Sequence, residues 1–119
     1  MKPVTLKPIE IGYGDEKIVI RPRMMSVAEQ DELTAQFADI SDTDTDKYQK
    51  EFEICRDALD AFSAQPAAQL VKEKGEYKRV PIEGGLTKHF ADRSIEAERV
   101  VREAYQLVLL QQRPESRFI

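Results

Sequence analysis

The stretch Leu6-Lys7-Pro8-Ile9-Glu10-Ile11-Gly12-Tyr13-Gly14-Asp15-Glu16-Lys17-Ile18-Val19-Ile20-Arg21-Pro22, followed by Ser26-Val27-Ala28-Glu29, decides the fold class. Val4 and Leu6 alternate with polar neighbours, as do Ile18 and Ile20, which is the period of half-buried strands. After Pro8 the apolar positions become Ile9 and Ile11, so the alternation slips by one. Proline has no N–H for a ladder bond, and the slip predicts an edge strand or a bulge there. Glycines at 12 and 14 supply the positive φ angles of a short hairpin loop. These features predict a β-hairpin over about residues 4–22, and Ser26 with Glu29 forms a capping box that opens a helix.

Downstream the period changes to that of helices. Val27, Leu33, Phe37, Ala38 and Ile40 fall on one face of the first. Ser41-Asp42-Thr43-Asp44-Thr45-Asp46 interrupts it, and Asp46 with Gln49 repeats the capping pattern. The second helix then carries Tyr48, Phe52, Cys55, Leu59 and Phe62 as a core-facing stripe. Pro66 suits the first turn of a short helix ending before Gly75. Pro81 and the Gly84-Gly85 pair predict a mobile loop over residues 76–85, despite Tyr77, Val80 and Ile82, and Leu86 to Asp92 has room for one helical turn. Ser94 caps a last helix that runs to about Gln112, where Arg113-Pro114 stops it. The expectation is an α+β fold in a single domain, residues 1–119: an N-terminal β-hairpin, a mainly α-helical body of three to four helices over about 26–112, and a short tail, 113–119.

Composition narrows the function. A chain of 119 residues, 41% hydrophobic and 34% charged, can bury one core without metal or disulfide staples. The lone Cys55 permits no internal disulfide and fits a reducing compartment. Met1-Lys2-Pro3-Val4-Thr5 lacks the apolar core of a signal peptide, and no run approaches the roughly eighteen apolar residues of a membrane span. The net charge of −4 argues against nucleic acid as a partner. That charge is uneven: residues 39–60 hold eight acids and three bases, whereas residues 61–119 hold ten bases and eight acids.

Few residues offer chemistry. Asp42, Asp44, Asp46 and Glu53 match positions one, three, five and twelve of a calcium loop, but Lys47 stands where that loop needs glycine for its sharp turn. No metal site is assigned. Cys55 and the single His89 are the only candidates for a nucleophile–base pair, and Cys55 lies on an apolar stripe where a thiol behaves as a small hydrophobe. Gly84-Gly85 lacks the spacing of a phosphate loop. Neither a catalytic residue nor a cofactor is assigned, and the reading is non-enzymatic.

The last helix points to a protein partner. Ala97, Val100, Val101, Ala104, Tyr105, Leu107 and Val108 form a broad apolar stripe, and Leu109 and Leu110 make its final turn apolar nearly all round. Either the hairpin or the tail from Arg113 to Ile119 covers this end, or Tyr105, Leu107, Leu109 and Leu110 form an interface for a second copy or another protein.

The opening segment resembles the tail assembly chaperones of long-tailed bacteriophages, whose N-terminal hairpin contains a Leu-x-Pro-Ile element, followed by an Arg-Pro step and a helix opened by a Ser/Thr-Val-x-Glu turn. The matching residues are Leu6, Pro8 and Ile9, then Arg21 and Pro22, then Ser26, Val27 and Glu29, and recognisable residues cover about a quarter of the chain. The resemblance implies the short, non-frameshifted form of a small protein of the host bacterial cytoplasm. Such chaperones bind the helix-rich tape measure protein, keep it soluble, help recruit tail tube protein, form homo-oligomers, and are not retained in the virion. The competing readings are a structural virion protein of the head–tail connector or tail-completion type and a small host-directed regulatory binding protein.

Overall fold

The hairpin register sets the platform of the fold. The computed structural model describes residues 6–112. Strand β1 (Ile9–Tyr13) pairs antiparallel with β2 (Glu16–Ile20), placing Ile9 opposite Ile20 and Ile11 opposite Ile18. All four isoleucines therefore share one face, and each is buried. Gly14 makes the turn at φ +61°. Pro8 precedes β1, which is an edge strand, while Val4 lies outside the described residues.

Ser26 caps α1 (Val27–Ala38) as a complete box: its hydroxyl accepts from Glu29 N at 3.1 Å, and Glu29 Oε1 accepts from Ser26 N at 2.9 Å. Of the face expected to be apolar, Leu33 is buried and Phe37 half-buried, but Val27 is 75% exposed and Ala38 also faces out. Helix α2 (Lys47–Ala61) buries Phe52, Cys55, Ala58 and Leu59, whereas Tyr48 is exposed at its first turn. The second capping box does not form. Asp46 makes no cap bond, because its carboxylate turns to Lys50 at 3.5 Å while Gln49 donates to Glu53.

The segment expected as helix and loop is instead a second hairpin. Strands β3 (Ala68–Glu73) and β4 (Glu76–Pro81) are joined by Lys74 (φ +51°) and Gly75 (φ +83°), two successive left-handed residues as in a type I′ turn. Ala67 to Lys74 consists largely of good helix formers, but pairing with β2 overrides that preference, since β2 would otherwise leave its second edge open. The sheet is wholly antiparallel in the order β1-β2-β3-β4. Residues 71–73 extend past the paired part of β2, so the tip of this hairpin projects from the body.

Helix α3 (Gly85–His89) follows, and then α4 (Ile95–Gln112), opened by Ser94 accepting from Ala97 N at 3.0 Å. Ala97, Val100, Val101, Ala104 and Val108 of α4 pack into one cluster with the four isoleucines and with Phe52 and Leu59 of α2. Val19 and Ala68 are buried but belong to the opposite face of the sheet and lie outside that cluster. The architecture is α+β in two layers, with the helical core on one face of a four-stranded sheet.

Polar clips lock the helix ends. Asp60 Oδ1 accepts from Leu86 N at 2.8 Å, and its Oδ2 accepts from Thr87 N at 2.8 Å and from Thr87 Oγ1 at 2.7 Å. It thereby caps α3 from the side, where neighbouring Gly84 cannot. Gly85, at φ +71°, lies so close to Asp60 that a Cβ would fall 2.8 Å from the carboxylate. Buried Gln112 accepts from Met25 N at 2.8 Å and donates to Arg23 O at 3.0 Å, tying the end of α4 to the link between sheet and α1. Asp60→Ala should lower unfolding stability by about 2 kcal/mol in urea titration, and Asp60→Asn, which keeps one carbonyl acceptor, by less.

Candidate binding surface

Cys55 is buried against the α2–α4 core, and burial pushes its thiol up to about 11. His89, on α3, packs edge-on against Tyr13 and Phe90, and its Nε2 lies 3.3 Å from Gln69 Nε2, which donates to Glu16 at 2.6 Å. No hydrogen bond joins Cys55 to His89. The aspartates of the 42–46 loop pair with lysines, Asp42 with Lys47 at 3.1 Å and Asp44 with Lys50 at 2.9 Å. Among the described residues no group of three or more His, Cys, Asp or Glu side chains is placed to hold a metal ion, and no helix is long and apolar enough to cross a membrane.

Helix α1 is the least embedded of the long helices, with Leu33 its one buried residue. Two adjoining clefts therefore run along its α2 side. Between α1 and α2 the first cleft, about 230 Å³, has Leu33, Ala58 and Phe62 as its floor and Glu32, Gln36 and Asp57 on its rim. A second cleft of about 330 Å³ shares Gln36 and Asp57 with it and continues past Ile40 and Ile54 between Asp39 and Glu53. Together they form an apolar-floored trough with an acidic rim.

Arg23 closes one end of that trough. It donates to Glu29 at 2.7 and 3.1 Å and to Ala61 O at 3.0 Å, with its guanidinium 5.2 Å above the Phe62 ring. The Arg23 partner and the cap amide hold the Glu29 carboxyl down at about 2. Lys50, bound to Asp44 and Asp46, stands at the other end.

The four side chains expected as an interface divide between two sides of α4. Tyr105 and Leu109 turn toward α1, where they line a shallow groove of about 150 Å³ with Met25, Leu33 and Phe37. The Tyr105 ring lies 6.0 Å from that of Phe37, and burial pushes its hydroxyl up to about 12. Leu107 and Leu110 face away from that groove and are 37% and 46% exposed. Because Leu109 packs against the core, replacing it with Asp would strike the fold as well as any interface. The trough between α1 and α2 was missed in the sequence, where α1 read as a helix with its apolar residues on one face. The available signal was the scarcity of apolar residues between Val27 and Phe37, with Leu33 the only large one. Comparison with family models, with curated proteins and with solved structures finds no match for this chain.

Two measurements check this account. Cys55 should react slowly with a thiol reagent at pH 8 in the folded protein and rapidly once denaturant is added. The carboxyl of Glu29 is lowered from 4.5 to about 2 on folding, so the stability it contributes is present above pH 4.5 and is lost as pH falls toward 2. Glu29→Gln should flatten the acid limb of the stability curve across that window.

Proposed function

We propose that this chain is a tail assembly chaperone of a long-tailed bacteriophage, binding the tape measure protein in the host cytoplasm, holding it soluble and promoting tail tube assembly without catalysis. The supporting observation is the trough beside α1. An apolar floor between polar rims is the shape that receives the apolar face of an amphipathic helix, and a tape measure protein offers such helices along its length. The acidic rim of Glu32, Asp39, Glu53 and Asp57 favours segments with basic flanks.

The residues that carry the resemblance have structural work consistent with this reading. Ile9 belongs to the core, Pro22 is buried and bridges to Ser63, and Ser26 with Glu29 opens α1, the helix that forms one wall of the trough. Oligomerisation, recruitment of tail tube protein and loss from the finished particle belong to the same proposal.

Co-expression with the long helix-rich protein encoded nearest downstream tests it. That partner should be soluble only together with this chain and should co-purify with it. Gln36→Trp, at an exposed position shared by both parts of the trough, should abolish the effect while circular dichroism stays unchanged. A partner indifferent to this chain, or this chain found in purified particles, would overturn the reading.

A further inference from the structure

The sheet has a second face, and its charge is opposite to that of the helical side. Alternation along the strands sends Lys17, Leu70, Lys72, Tyr77 and Arg79 away from the core. The register makes them one patch: Lys17 of β2 and Arg79 of β4 both stand opposite Leu70 of β3, and Lys72 is opposite Tyr77 in the next row. Gly12, opposite Lys17 on β1, adds no side chain to that row. The only carboxylate the strand register puts on this face is Glu10, beside Val19 in the row beyond.

The three cations find no carboxylate partner among the described residues. Arg79 reaches only Gln65 Oε1 at 3.4 Å, and Lys17 Nζ sits 4.9 Å above the Tyr77 ring. Cations gathered on one face repel one another, and a carboxylate-bearing partner would relieve that repulsion. Half-buried Leu70 at the centre offers the apolar contact that a purely electrostatic surface lacks. The two edges of the sheet differ as well. On the β1 side Arg99 donates to Gly12 O at 2.7 Å, and Gln111 clasps the backbone of Lys7, whereas all six residues of β4 are exposed.

From this we propose that the outer sheet face is a docking site for an acidic protein segment in which carboxylates flank an apolar side chain. The apolar residue covers Leu70, and the carboxylates meet Lys17, Lys72 and Arg79. Lys17 and Arg79 are two strand spacings apart, about 9.6 Å, so the flanking carboxylates stand at a similar separation. A nucleic acid fits less well. The one aromatic ring on the patch already carries the Lys17 ammonium rather than a free surface for base stacking, and the whole chain is net negative at −4. The site is separate from the trough and does not depend on the chaperone reading.

Fluorescence anisotropy with a labelled peptide of repeating Glu-Ser-Leu-Ser, which puts Glu and Leu on one face of an extended chain, tests the site, with a single-stranded oligothymidylate of matched charge as the competing probe. The peptide should bind, more weakly as salt rises, and Lys72→Glu with Arg79→Glu should weaken it about tenfold or more. Lys7→Glu with Lys88→Glu, an equal charge change at exposed positions off the patch, should leave binding nearly unchanged. Absence of peptide binding, equal loss in the two double variants, or oligothymidylate bound as tightly as the peptide would each overturn the proposal.

Discussion

Everything in this fold rests on the pairing of Ile9 with Ile20 and Ile11 with Ile18 across a two-residue turn. A shift of one residue would turn these side chains to the opposite face and strip α4 of its counterpart. With the register as observed, the four isoleucines meet Val100, Val101, Ala104 and Val108, and α2 closes the cluster with Phe52 and Leu59. Burial of this kind stabilises by about 1.5–3 kcal/mol per large side chain, which makes it the dominant favourable term here.

The packing is also unequal, and that inequality leaves clefts open on the helical side. Helix α4 lies against the sheet with an unbroken apolar stripe, and α2 is buried along one side. Helix α1 has Leu33, a capping box and the Arg23–Glu29 pair, but little else to press it into the body. It stands away from α2 far enough to leave a trough with an apolar floor. Local hydrogen bonding stabilises the helix, and so its long face need not be buried to exist.

Charge follows the same division. Asp39, Glu53 and Asp57, with Glu32, line the helical clefts, whereas Lys17, Lys72 and Arg79 occupy the outer sheet face. A net charge of −4 hides two fields of opposite sign on opposite sides of a two-layer molecule.

Much of this was legible in the chain. The first hairpin, the Ser26–Glu29 box, the Ser94 start of α4, the apolar stripes of α2 and α4 and the turn at Leu86 are local features, set by φ preferences, capping hydroxyls and apolar period. The second hairpin was not, because Ala67 to Lys74 prefers helix in isolation and becomes a strand only when β2 offers it a ladder. Nor were the trough, the split of Tyr105 and Leu109 from Leu107 and Leu110, or the gathering of Lys17, Lys72 and Arg79. The sequence by itself determined which segments could be amphipathic and where their ends fell, since those depend on neighbours a few residues away. Only the tertiary structure decided which faces met and which stayed open, since that depends on a strand register joining residues some fifty positions apart, as Gln69 meets Ile18.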